Sequence, residues 1–256
     1  MRSASIFLMA HQDDEFGVFH QIESELAAGR WVRCIYVTDG AATADSDHRD
    51  RESRTVLQAL GVEVNDILFV GRQLSIGDGQ LHRHVGAFTG WLDSFLNDHP
   101  IIQACFVPAW EGGHPDHDML HAIAVELLET RVDSPAVWQY PLYNGQNCFG
   151  PFFRVMSPLS SNGPIERQSI AWRDRFRYIR FCLSYPSQWR SWLGLFPFVG
   201  GHYLFRGAQY LQGTNRQRLE QPPHQRPLYY ERRGFLDWPA MCLAIEQLHQ
   251  NLSRLK

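Results

Sequence analysis

Five short apolar runs in the first half of the chain, each but the last followed by a segment of helical spacing, restrict the fold more than any other feature. Ile6–Ala10, Val32–Thr38, Ile67–Val70, Ile101–Pro108 and Ala136–Tyr143 read as strands. Between them, Phe16–Ala28, His48–Leu60, His84–Leu96 and His117–Thr130 repeat apolar residues as a one-sided helix does. Gly61 suits the left-handed position that ends the second helix, and Asp98-His99-Pro100 breaks the third. Mostly apolar strands alternating with helices imply right-handed crossovers and a parallel sheet covered on both faces. The expected class is therefore α/β, a Rossmann-like, mostly parallel sheet.

The pattern loosens after about Pro151. Gln168–Tyr185 reads as a helix with Trp172, Phe176, Ile179 and Leu183 on one stripe. Ser191–Phe205 carries no charge, and its Gly and Pro content argues for buried strands or a lid. Gln212–Pro227 reads as a polar loop and Trp238–Leu252 as a closing helix. The 256 residues are expected to form one domain, an α/β core over 1–150 with an irregular, substrate-shaping lobe over 151–256.

A net charge of −3 argues against a dedicated nucleic-acid binder. Locally, Arg154 to Arg190 holds seven arginines against Glu166 and Asp174, a solvated face or a surface for anions. Five scattered cysteines without a C-x-x-C pair fit a reducing compartment. With no signal-like or membrane-spanning run, the expectation is a soluble, cytoplasmic protein.

Open parallel sheets bind ligands beyond the carboxyl ends of their strands. His11-Gln12-Asp13-Asp14-Glu15 follows the first strand, Asp39-Gly40 the second and Gly113-His114-Pro115-Asp116-His117 the fourth, so all three sets fall on one rim. Three His or carboxylate ligands, an open position for water and a neighbouring base make a catalytic zinc site. His11 and Asp14, three apart on a turn, can face one point while Asp13 points elsewhere. Either His114 or His117 can ligate while the other faces a substrate. Taken singly, each segment also reads as a structural histidine or as helix-capping acid.

The paired motifs resemble the LmbE-like, or PIG-L, family of zinc-dependent N-deacetylases, which act largely on N-acetylglucosamine units. The resemblance extends through Val37-Thr38-Asp39-Gly40, Arg51-Glu52 and Ala59-Leu60-Gly61, and weakly to Tyr185-Pro186-Ser187-Gln188. It implies His11, Asp14 and His117 as metal ligands, Asp13 as general base and His114 as the protonated group that stabilises the oxyanion and helps the amine leave. Asp116 would orient His114, and Arg51 would hold sugar hydroxyls or phosphate. Zn2+ is the implied cofactor, with Fe2+ or Co2+ as alternatives, and the partner is a small N-acylated amino sugar or glycoconjugate. The family usually has Pro where this chain has Gln12, which keeps the spacing, loosens the turn and offers an amide to the substrate. Two other readings are a non-catalytic member that binds a sugar or partner, and a magnesium-dependent sugar-nucleotide transferase. The second conflicts with two histidines beside the carboxylates and with the lack of a Gly-rich phosphate loop.

Overall fold

The computed structural model describes residues 3–41, 45–99, 101–129, 131 and 133–255. Strand β1 (Ala4–Met9) is buried along its whole length and is followed by a 3-10 turn and α1 (Phe19–Ala27). The chain continues through β2 (Trp31–Tyr36), α2 (Ser46–Leu60), β3 (Ile67–Phe69), the one-turn α3 (Val70–Gln73) and α4 (Val85–Asp98). It then forms β4 (Ile102–Pro108), α5 (Pro115–Leu128), β5 (Ala136–Tyr140) and the two-residue strands β6 (Tyr143–Asn144) and β7 (Arg154–Val155). The remainder comprises β8 (Glu166–Ser169), α6 (Trp172–Cys182), α7 (Trp189–Gly201), β9 (Ala208–Gly213), α8 (Tyr229–Arg232) and α9 (Trp238–Leu255).

The main sheet has the order β3-β2-β1-β4-β5-β9-β8. Its first five strands are parallel, and β9 and β8 add antiparallel to the edge of β5. Successive β1 side chains point to opposite faces. Ile6 and Leu8 join the core under α4, α5 and α9, whereas Phe7 and Met9 join the one under α1, α2, α6 and α7. Strand order runs outward from β1 through β2 to β3 on one side, and from β4 to β5 on the other. The crevice between β1 and β4 is therefore the point where a doubly wound sheet takes its ligand.

The five early strands and four helices lie where the apolar pattern puts them, with ends moved by a few residues. Gly61 ends α2 at a φ of 103°, as expected of a left-handed cap. Thr130 and Pro100 lie outside the described residues. The later half differs. Gln168 and Ser169 belong to β8, because their backbone pairs with Gln209 and Ala208 of β9, and the helix begins only at Trp172. The stripe Trp172, Phe176 and Leu183 faces outward; Tyr178 and Cys182, on the opposite face, enter the core. Ser191–Phe205 forms no strand. It is helix α7 with Pro197 inside, running into a π turn at His202–Arg206. Burial of Trp192, Val199 and Tyr203 outweighs the poor helix propensity of its glycines and proline.

Candidate metal and catalytic site

The turn after β1 carries the first set of side chains. Asp13 sits at φ 107° and ψ −11°, a left-handed conformation that Asp tolerates better than most residues. This reversal separates the directions of Asp13 and Asp14. Asp14 accepts a hydrogen bond from the His11 backbone N at 2.8 Å, and Asp13 N donates to Glu15 Oε2 at 2.8 Å. The Tyr36 hydroxyl also donates to Glu15, so the turn is fixed to β2 from below.

The second set stands at the start of α5. His114 caps the helix, its Nδ1 accepting from Asp116 N at 3.3 Å, and Pro115 fills the first helical position. Asp118 accepts from the backbone N of Glu111 and of Gly112, both at 3.1 Å, drawing the loop back onto the helix. Gly113 passes so close to β6 that a Cβ would lie 1.9 Å from Tyr143 O, which only glycine allows.

The two sets meet. His11 Nδ1 lies 3.2 Å from His117 Nε2. The Asp14 carboxylate approaches these nitrogens to 3.8 and 3.1 Å. Four-coordinate zinc with bonds of about 2.0–2.1 Å spaces its ligand atoms about 3.3 Å apart, so these three donors fit one ion. Four buried or nearly buried carboxylates, Asp13, Asp14, Asp78 and Asp116, face one arginine, Arg49, a charge deficit that a divalent cation would meet. Two overlapping groups of donors, His11 with His114 and His117, and His11 with Asp78, His114 and Asp116, also lie within 4.8 Å of one another.

Asp116 takes a different position from the expected one. Its Oδ2 is 3.0 Å from His11 Nε2 and 3.9 Å from His114 Nδ1. It also accepts from Gly79 N at 2.6 Å and Leu81 N at 3.0 Å. His11 is therefore the imidazole this carboxylate orients. Burial opposes charge on His11, but Asp78, Asp116 and Asp14 together hold its pKa well above the usual value. Burial, together with the neighbouring His11, pulls His114 down to about 4. That shift runs against the expected imidazolium; with Nδ1 accepting from Asp116 N, Nε2 is the nitrogen left to donate. Asp13 is pushed up to about 7 by burial, against the pull of Arg49.

Two expected substrate contacts are placed elsewhere. Gln12 is buried and turned from the cavity, its Nε2 donating to Asp50 Oδ1 at 2.7 Å. The turn that lacks proline is thus tied to α2 by a side-chain bond, and Arg49 adds bonds to the Gln12 and Gly40 carbonyls. Arg51 is exposed and lines no part of the cavity. Two residues along a helix are about 200° apart around its axis, so Arg49 points in where Arg51 points out. Arg49 NH2 lies 3.5 Å from Asp13 Oδ1.

Sequence reasoning also missed Asp78 and Glu111. Asp78 lies 3.3 Å from His11 Nε2 and is held by Asp39, whose Oδ1 accepts Asp78 N at 3.2 Å. Asp39 is thus a brace on the expected rim. Glu111 is fully buried and accepts from Leu142 N at 2.6 Å, Tyr143 N at 2.9 Å and Asn144 Nδ2 at 3.3 Å. A buried-looking Glu two residues before the Gly-His pair was the available signal.

His11, Asp13, Asp14, Asp78, His114 and His117 line a cavity of about 700 Å³. Arg190, Ser191, Gly194 and Leu195 of α7 form part of its wall, so the uncharged stretch does reach the site. A larger cavity of about 1240 Å³, lined by Glu126, Asn162, Arg216 and His249 among others, contains none of the motif residues.

No curated protein matches the sequence. Solved structures share the fold. A zinc-inhibited form of teicoplanin deacetylase is 16% identical with a TM-score of 0.58, over 83% of this chain and 99% of that one. N,N'-diacetylchitobiose deacetylase from Pyrococcus horikoshii is 16% identical with a TM-score of 0.54, over 83% of each chain. GalB, a 4-carboxy-2-hydroxymuconate hydratase from Pseudomonas putida, is 12% identical with a TM-score of 0.53, over 83% and 96%. Residues 6–128, which run from β1 to the end of α5 and hold both motifs, match the model of the PIG-L, or GlcNAc-PI de-N-acetylase, family. Over that segment, just under half of its length, the chain is similar to the PIG-L family.

Proposed function

We propose that the chain is a metal-dependent hydrolase that removes an N-acetyl or other N-acyl group from an amino sugar or its conjugate. The observation that carries this reading is the convergence of His11 Nδ1, His117 Nε2 and the Asp14 carboxylate, beside an Asp13 carboxylate turned away from the three and paired with Arg49. The PIG-L match and the two deacetylases of like fold support it. The hydratase of like fold means that fold alone is no argument for the reaction, so the argument rests on the site.

His11, Asp14 and His117 would hold the metal, with Asp116 fixing the ring of His11 from behind. Zinc, or iron or cobalt in its place, would supply a water acidified toward a pKa of about 7 and a polarised amide carbonyl. Zinc is named as inhibitory in the teicoplanin deacetylase, so metal content and turnover need separate measurement. Asp13, poised near neutrality, accepts the proton of the attacking water while Arg49 holds its carboxylate. His114 Nε2–H donates to the carbonyl oxygen as that oxygen gains charge. When the C–N bond breaks, the proton on Asp13 is the one available to the departing amine, leaving a carboxylate and a free amine.

The test begins with elemental analysis of wild type and His117→Ala, both purified without added metal or chelator. Near-stoichiometric divalent metal in the wild type and its loss in the variant are expected. Acetate release from N-acetylglucosamine conjugates by the metal-loaded wild type should follow. Equal metal content in both proteins would overturn the ligand set.

A further inference from the structure

The C-terminal part of the chain exposes apolar rings on a scale its core does not explain. Among the described residues, ten of the fourteen exposed large apolar side chains lie between Phe149 and Phe205. They include Trp172 and Phe176 at 59% exposure each, Leu193 at 73% and Phe205 at 87%. Scattered apolar residues need no explanation, but a cluster of this size marks a surface that meets something.

The helices that carry these rings share one flank. Tyr178 and Cys182 of α6, Trp192 and Val199 of α7, and Tyr203 of the π turn all enter the same core cluster. The opposite faces of these elements are therefore all turned outward from that core. Trp172 and Phe176 lie 6.2 Å apart between ring centres on α6, and Arg175 sits 4.2 Å over Trp172. Phe153 and Phe198, 5.7 Å apart, connect the 149–153 loop to α7.

The charge on this part of the chain is predominantly positive. Residues 149–206 hold eight arginines, no lysine, and only Glu166 and Asp174 as acids, in a chain whose net charge is −3. Among the described residues, Arg177 alone of the eight pairs with a carboxylate. Arg173, Arg180, Arg190 and Arg206 are exposed beside the exposed rings. Aromatic and leucine side chains interleaved with unpaired arginines are the composition that settles at an anionic lipid surface. A protein partner would suit the apolar rings as well, but the excess of positive charge favours phosphate-bearing lipid.

We propose that the α6–α7 flank docks peripherally on anionic lipid bilayers. Among the described residues no helix is long and apolar enough to cross a membrane, so the contact is with the surface. The cavity wall includes Arg190 and Ser191 of α7, so docking would bring its mouth toward the headgroups. The docking itself does not depend on the proposed chemistry, and its test uses no turnover.

The experiment is flotation of the full chain with vesicles of phosphatidylcholine alone or with 30–40% phosphatidylglycerol, about the content that makes a surface strongly anionic. Partitioning at least about tenfold stronger onto the anionic vesicles, weakened by salt, is expected. Trp172→Ser/Phe176→Ser and Arg173→Glu/Arg180→Glu change only exposed or surface residues, and unaltered circular dichroism would establish their folding. Each should reduce partitioning at least about tenfold. No binding by wild type, or equal binding by both variants, overturns the proposal. A wild-type dimer in analytical ultracentrifugation that these substitutions dissociate would instead assign the flank to a second copy, and overturns it too.

Discussion

The Asp116 carboxylate lies 3.0 Å from His11 Nε2 while His11 Nδ1 lies 3.2 Å from His117 Nε2. One ring nitrogen of His11 is thus held by a carboxylate, and the other is aimed at the point where the donors meet. A bond of this kind fixes the tautomer and the ring angle and raises the basicity of the ligating nitrogen. Asp116 is itself fixed by two backbone N–H groups from the loop before α4. Asp116→Ala should weaken metal binding by about 10–100-fold with the fold retained. Competition titration against a chromogenic chelator would measure this, and an unchanged affinity would remove Asp116 from the site.

Asp13 differs from Asp14 in direction and in duty. Asp13→Ala should keep near-wild-type metal content and lower kcat by about 10²–10⁴-fold. Elemental analysis and acetate release on the same sample distinguish this from loss of metal. Metal loss would make Asp13 a ligand.

Arg49 and Arg51 are neighbours in sequence and opposites in space. Arg51→Ala removes an exposed side chain and should change stability by less than about 0.5 kcal/mol, with KM unaltered. Arg49→Ala removes the bonds to two backbone carbonyls and the partner of Asp13, and should lower both stability and kcat. Urea unfolding and steady-state kinetics on the pair would reverse the assignment if Arg51 had the larger effect.

The turn without proline is held from α2. Gln12→Ala removes the 2.7 Å bond to Asp50, a hydrogen bond to a carboxylate, and should cost about 1.5–3 kcal/mol in urea unfolding. Gln12→Pro would restore a stiff φ but not this bond, so it should recover only part of the loss.

Glu111 gives stability a pH dependence of known sign. Burial pushes its carboxyl up to about 7 in the folded chain, against about 4.3 in an unfolded one. Between these values the folded state holds the proton and the unfolded state has lost it. The contribution is complete below about pH 4 and is lost as pH rises through 7. Unfolding of metal-free protein from pH 5 to 8 should therefore show stability falling by up to about 3 kcal/mol from this group. Glu111→Gln, which cannot ionise, should flatten that slope; an identical slope would place its origin elsewhere.

Much of the site and of the first half of the fold was legible in the residues. Parallel strands buried on both faces leave mostly apolar runs, and helices against them leave a 3.6-residue repeat, so β1 to β5 and their helices are written locally. The site lies at the ends of β1 and β4, so topology brought both motifs to one rim; the choice of His117 over His114 beside His11 and Asp14 came from the family resemblance alone. The second half was less legible because β8 exists only as a partner of β9, and α7 only because Trp192 and Val199 find a core.

The sequence by itself determined the α/β order, the rim on which the motifs stand and the inventory of imidazoles and carboxylates there. Tertiary structure alone decided which carboxylate serves which imidazole. Asp116 faces His11, over a hundred positions away, more closely than His114, two away. It also turned Arg49 inward and Arg51 out, bound Gln12 to Asp50, and left Trp172 and Phe176 of α6 facing solvent. Spacing along a chain fixes only the face a side chain leaves from. What it meets depends on the elements packed opposite, and those are set by the whole sheet.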